Sequence, residues 1–390
     1  MTFSSRQGLQ WFFLGLSLVT ANAMDSHNNK YLLFVGTYTG KDSKGIYAYS
    51  FDAAASGFTP LGVAAETTNP SFLAIDPSRR FLYAVNEVSN YKGASSGAVS
   101  SFEINHQTGK LKFMNQVPSR GADPCYISFD KTGKFTLVAN YTGGSVAVFR
   151  VQKDAQHDGQ LGESSAFIQN AGSSVDKQRQ AGPHAHWIET APDNRFAIAA
   201  DLGLDKLLVY RFDAQTGALT PNNPSYAALD PGSGPRHLAF HPNGNFAYAL
   251  NELQSTITAF TYSQTSGKLQ KLITVSNLPK TFSGINTAGE IKVHPNGKFL
   301  FASNRGHDSI AIFSINAHTG NLSPVDFVPT QGKTPRNFEI DPTGKLLLVA
   351  NQDSNNIVVF RIDPSSGKLT PTGQTLTVPA PVCLKFVAIQ

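Results

Sequence analysis

The run Gly234-Pro235-Arg236-His237-Leu238-Ala239-Phe240-His241-Pro242-Asn243-Gly244-Asn245-Phe246-Ala247-Tyr248-Ala249-Leu250-Asn251-Glu252 decides how this sequence folds. Two short apolar segments flank a Pro-Asn-Gly turn, the chemistry of an antiparallel hairpin. A hairpin returns its end to the edge where it began. Arg236 and Glu252 are therefore expected side by side, although sixteen positions separate them.

The same unit recurs outward from this run, at a period of about 50 residues. It spans Asn69-Pro70 to Asn86-Glu87, Asp123-Pro124 to Asn140-Tyr141, Gly182-Pro183 to Asp201-Leu202, Ala288-Gly289 to Asn304-Arg305 and Thr334-Pro335 to Asn351-Gln352. A seventh copy is split: residues 31–36 supply a second strand without a first, and residues 381–387 a first without a second. A third apolar strand follows each pair, at residues 46–51, 99–104, 146–151, 207–212, 257–262, 310–315 and 357–362. Each leads into a turn such as Thr216-Gly217 or Ser366-Gly367, which reverses the chain into a polar fourth strand. Seven repeats of four antiparallel strands, with almost no helical periodicity, predict an all-β, seven-bladed propeller. Pairing of the C-terminal strand with the N-terminal one would close the ring and remove its open edges.

The bulk composition fits that reading. Of 390 residues 41% are hydrophobic and 15% charged, as in a soluble globular protein. The net charge of +5 is spread without a basic run of five, which argues against nucleic acid as a partner. Arg6, the apolar residues 11–19 and Ala21-Asn22-Ala23 have the order of a signal peptide. We therefore expect a leader over 1–23 and one propeller domain over 24–390, exported to the periplasm or secreted, with no membrane association after cleavage. Cys125 and Cys383 fall in non-adjacent repeats and read as buried small residues.

Strand one begins and strand two ends at one face, so each blade offers two positions at the channel mouth. The first series reads Ser71, Cys125, His184, Arg236, Glu290, Arg336 and Val382; the second includes Gly36-Thr37, Asn86-Glu87, Asn140-Tyr141, Asn251-Glu252 and Asn304-Arg305. His, Arg, Glu and Arg on four successive blades suit a small anionic ligand. Opening an ester-like ring needs a base for water and donors for the oxyanion. Glu252 and His184 are the candidate bases, and Arg236 and Arg305 the candidate stabilisers. His184 and His186 have a spacing a metal could use, but no third ligand accompanies them, so neither metal nor cofactor is expected. The recurring strand-end Asn reads as a backbone clamp between blades, His241 and His294 as surface turn residues. Residues 152–182 and 276–289 form long polar connections, common places for binding groups.

Several of these motifs resemble the seven-bladed lactonase family, which includes propeller-type 6-phosphogluconolactonases and fungal carboxymuconate-lactonising enzymes. They are Gly172-Ser173-Ser174-Val175 through Arg179-Gln180, Gly182-Pro183-His184-Ala185-His186, Gly234-Pro235-Arg236-His237, Asn251-Glu252, Gly289-Glu290-Ile291, residues 303–309 and Thr334-Pro335-Arg336. The resemblance covers about residues 30–388 and implies cofactor-free lactone chemistry. It places His184, Arg236, Glu252 and Arg305 in the catalytic cluster, with His186, His237, Glu290 and Arg336 as substrate contacts. The implied function is hydrolysis of a sugar lactone. A lactonising isomerase of an unsaturated dicarboxylate and a non-catalytic binding propeller stay open as alternatives. Nothing in the sequence speaks to oligomeric state.

Overall fold

Apolar alternation along the repeats builds 28 strands, arranged in seven four-stranded antiparallel sheets. The computed structural model describes residues 1–2, 29–40 and 42–389, so the expected leader over 1–23 lies outside the described residues but for its first two. Blades one to six are continuous in sequence: residues 73–118, 124–169, 185–228, 235–276, 287–329 and 335–377. Blade seven joins residues 381–388 to 30–66. Its closing pair runs antiparallel, with Leu33 opposite Phe386 and Val35 opposite Leu384. The expected propeller and its mode of closure are both present.

The repeat motifs acquire physical reasons at the blade interfaces. Each second strand from blade one to blade five opens with Phe81, Phe135, Phe196, Phe246 or Phe299. The hairpin glycine of the following blade lies flat against that ring. Gly217, for example, has φ +76°, and a Cβ there would sit 2.4 Å from Phe135. Only glycine satisfies both the left-handed backbone and the close approach. Burial of these rings and their aliphatic neighbours forms the core between blades.

Two expectations about polar repeat residues resolve differently. The strand-end Asn does clamp backbone: Asn140 Nδ2 donates to Ser119 O at 3.1 Å, and Asn304 Nδ2 to Asn277 O at 2.7 Å. His241 and His294, however, are buried, not surface residues. Their Nε2 atoms donate to Gly297 O and Gly344 O of the next blade, at 2.9 and 2.7 Å, while Nδ1 accepts from the turn backbone. Pinning one blade to its neighbour requires that the ring be enclosed.

Candidate active site

A β-bulge at the start of the inner strand, present in six of the seven blades, sets the site. In blades two, three, four and six the register skips one residue, between Pro124 and Tyr126, Ala185 and Trp187, Pro235 and His237, and Pro335 and Asn337. A bulge turns two consecutive side chains to one side. The bulged residues are Cys125, His186, Arg236 and Arg336, with Ser71, Gly289 and Val382 at the matching places of the other blades. This corrects the expected series twice. His186, not His184, occupies the ring position in blade three. In blade five Gly289 occupies it, and Glu290 lies one layer deeper.

The second series is formed by the residue after each strand-end Asn: Glu87, Tyr141, Leu202, Glu252, Arg305 and Gln352. Thr37 pairs with Pro381 as Asn351 pairs with Pro335. The equivalent residue in blade seven is therefore Tyr38, one position beyond the expected Gly36-Thr37.

Arg236 and Glu252 meet as the hairpin predicts. Glu252 is buried, and its Oε2 lies 3.2 Å from Arg236 Nε and 2.9 Å from Arg305 Nη2. Its Oε1 accepts from Arg179 Nη2 at 2.7 Å. Arg236 also donates to the Gly289 carbonyl, which the bulge exposes, and Arg305 to Ala288 O at 2.6 Å. Arg179 arrives from the long connection before blade three. That connection is anchored by Gln180, fully buried, whose amide donates to Leu202 O and Asp205 Oδ1 at 2.8 Å each.

Across the mouth, Arg336 Nη2 donates to the Tyr38 hydroxyl at 2.8 Å, and that hydroxyl donates to both oxygens of Glu87 at 3.0 Å. His186 stands between the two groups, with Tyr141 edge-on at 5.5 Å between centroids and a buried Nδ1 that has no hydrogen-bond partner among the described residues. Glu87, Cys125, Tyr141, Arg179, His186, Glu252, Arg305 and Arg336 enclose a cavity of about 250 Å³. Arg236 lies directly behind Glu252. Four guanidiniums against two carboxylates leave a formal charge of +2.

Besides Arg236, three predicted residues do not line this cavity. His184 is half-buried outside it, stacked on Tyr141 at 4.5 Å with Nδ1 3.0 Å from Tyr141 O. His237 and Glu290 belong to the layer beneath: His237 Nδ1 donates to Glu290 Oε1 at 2.8 Å, and Asn337 Nδ2 to Glu290 Oε2 at 2.6 Å. Tyr38 and Arg179 are site residues that the repeat reading did not place at the mouth; Glu87 and Tyr141 it placed there without a role.

A family model described as Lactonase, 7-bladed beta-propeller, matches residues 32–386. The chain belongs to this family. It is 36% identical over 358 residues to a Bacillus subtilis protein named 6-phosphogluconolactonase, covering 92% of this chain and 99% of that one. A Formosa agariphila protein of the same name is 37% identical over 312 residues, 78% of this chain and 85% of its own. The solved structure named Pseudomonas aeruginosa periplasmic gluconolactonase is 36% identical, with a TM-score of 0.85 over 93% of this chain and all of that one.

Electrostatics in this propeller lactonase distinguish Glu252 from His186. Burial works to raise the Glu252 carboxyl, but Arg305 and Arg236, with Arg179 behind them, overcome it and hold the group at about 2. So weak a base suits a permanent anion that orders three guanidiniums. His186 is lowered as well, with the opposite consequence for its charge. Burial, then the charge of Arg236 and the neighbouring His237 and Arg336, push it well below the ordinary histidine range, so the imidazole is neutral. His237 is also neutral, lowered to about 4 chiefly by burial, against the pull of Glu290. Its partners agree, since Nδ1 donates to Glu290 while Nε2 accepts from Arg236 Nη1 at 3.2 Å. Burial raises the phenols of Tyr38 and Tyr141, so both remain protonated donors.

Proposed function

We propose that the protein hydrolyses a sugar lactone carrying an anionic group, releasing the corresponding aldonic acid. The observation that carries this reading is the excess of guanidiniums over carboxylates, three against two in the cavity lining with Arg236 behind them, within a family whose relatives are named for sugar-lactone hydrolysis. Buried charge of one sign is costly unless something pairs it. A phosphate or carboxylate substituent of the lactone supplies that partner. Arg336 is the natural clamp, because among the described residues its side chain hydrogen-bonds a phenol and no carboxylate.

In the reaction, neutral His186 accepts a proton from water as the water oxygen bonds to the ring carbonyl carbon. The carbonyl π electrons move to oxygen, where Arg305 and Arg179 stabilise the developing charge. Collapse of the tetrahedral intermediate breaks the ring C–O bond, and the imidazolium returns its proton to the departing alkoxide. Glu252 fixes the guanidiniums that carry this charge. No covalent enzyme intermediate is needed, and Cys125, whose thiol burial pushes far upward, is left out of the chemistry.

The leader expected over 1–23 would place this activity outside the cytosol, and the Pseudomonas relative named as periplasmic supports that location. The test is acid release in a pH-stat from 6-phosphogluconolactone and glucono-1,5-lactone, with spontaneous hydrolysis subtracted. Faster turnover of the phosphorylated ring is the expected result. Equal or slower turnover would remove the requirement for an anionic group, and background rates on both would refute the lactonase reading for these substrates.

A further inference from the structure

Three residues beyond each bulge position the inner strands turn side chains back into the channel, now at its opposite end. Blades one, two and four place small residues there, Ala74, Ser128 and Ala239. Blades three, five, six and seven place Glu189, Lys292, Glu339 and Lys385. The small residues leave two recesses, of about 390 and about 280 Å³, that share Tyr126, Glu189, Glu339 and Ile340 in their walls. Both exceed the cavity at the other mouth. An intervening layer divides the two ends: Phe72 packs on Tyr126 at 4.1 Å between centroids, and Tyr126 on His237 at 5.1 Å.

The charges in these recesses are unevenly matched. Glu339 is divided between two ammoniums, with Lys292 Nζ 3.2 Å from Oε1 and Lys385 Nζ 3.7 Å from Oε2. The lysine side chains are each 22% exposed, and Glu339 17%, so the trio is largely withdrawn from water yet open to the recess. One carboxylate is thus shared by two ammoniums, Lys385 opening to the larger recess and Lys292 to the smaller, where Glu290 is already held by His237 and Asn337. Glu189 stands apart from the trio. Its Oε1 accepts from the Tyr126 hydroxyl at 2.5 Å, and among the described residues it has no cationic partner. An ionised carboxylate can only accept hydrogen bonds, so its unused lone pairs face the recess in want of donors.

We infer that this end of the channel is a second small-molecule site, for a hydroxylated acid. The acid group lies against Lys385 in the larger recess, and the hydroxyls donate to Glu189. The same walls select against two other classes. A second carboxylate would be repelled by Glu189, and a purely apolar acid would leave Glu189 desolvated without a partner. The recess dimensions fall near the lower range of ordinary small-molecule pockets.

D-gluconate is the probe, titrated calorimetrically into the full chain and into its Arg336→Met variant, whose lactone cavity has lost a guanidinium. Binding should persist in Arg336→Met. It should weaken about tenfold or more in Lys385→Met and in Glu189→Gln, the cost of removing one side of a buried charged contact. Lactone turnover should be unchanged in Lys385→Met. Lys385→Arg, which keeps the charge, should retain binding, and it decides the matter if the methionine variant does not fold. Propionate, an acid of equal charge without hydroxyls, should not bind here. Gluconate binding that disappears in Arg336→Met and is indifferent to Lys385 and Glu189 would overturn the proposal, as would propionate binding equal to gluconate. These outcomes are independent of whether the other mouth opens lactones, which the turnover assay reads separately.

Discussion

Glu87 and Glu252 occupy the same place in two blades, one residue past the strand-end Asn, yet their surroundings are opposite. Glu252 is buried among three guanidiniums. Glu87 is half-buried and takes a phenol, its two oxygens sharing the Tyr38 hydroxyl. The backbone cannot account for the difference, because the hairpins are built alike. What differs is the residue at the bulge position alongside: Arg236 beside Glu252, Ser71 in the blade of Glu87. Arg305 from blade five and Arg179 from the long connection complete the contrast. A propeller thus offers equivalent sockets, and the neighbours of each socket decide whether a carboxylate becomes a fixed counter-ion or part of a softer relay.

The contrast can be broken most forcefully at Glu252. Glu252→Ala leaves three guanidiniums without their common anion, and we expect turnover to vanish with a stability loss of about 3–5 kcal/mol in denaturant titrations. Glu87→Ala, by comparison, should cost about 1 kcal/mol, one net hydrogen-bond contribution. Equal losses at the two positions would show that the sockets are energetically the same.

Next in size is the base. His186→Gln should lower kcat about 10²–10⁴-fold, the usual scale of general-base removal. His184→Gln should change it far less, since that ring stacks outside the cavity. A larger effect at 184 than at 186 would return the base to the residue the linear sequence favoured.

A third variant sharpens the Glu87 side. Arg336→Met should raise KM for 6-phosphogluconolactone about 30-fold or more and leave KM for the uncharged lactone nearly unchanged. Tyr38→Phe removes the hydroxyl joining Arg336 to Glu87, and a rise in KM of about three- to tenfold is expected, one ordinary hydrogen bond.

The remaining prediction concerns acid stability. The folded Glu252 pKa of about 2 lies below its ordinary value of 4.5. Between those values the unfolded chain binds the proton first, so stability falls as pH falls. The contribution is complete above pH 4.5 and gone below about 2. Urea melts from pH 5 to 2 should therefore be less steep in pH for Glu252→Gln than for Glu87→Gln.

Much of this was legible in the sequence, and the exceptions share a cause. The Arg236–Glu252 contact followed from hairpin geometry alone, and Arg305 and Arg336 were found by position in the repeat. His184 and Glu290 were misplaced because a bulge inserts a residue that no alternation pattern announces. A slip of one residue or two moves a side chain to another layer or out of the ring. Tyr38 was overlooked because blade seven is split and carries Thr37 where the others carry Asn or Asp, so its end was read one residue early. Arg179 lies on a connection without periodicity, which the buried Gln180 beside it and Ser174 fix to the fold.

By itself the sequence determined the number of blades, their strand order, the closure of the ring and the face on which charged groups gather. These depend on local chemistry repeated seven times: glycine turns, phenylalanine starts and alternating apolar residues, each readable within a few positions. Tertiary structure alone decided which histidine enters the cavity, which carboxylate is buried under guanidiniums, and that the opposite mouth holds its own charged ring. Those outcomes depend on bulge register and on contacts between blades, where residues far apart in sequence set one another's hydration and charge.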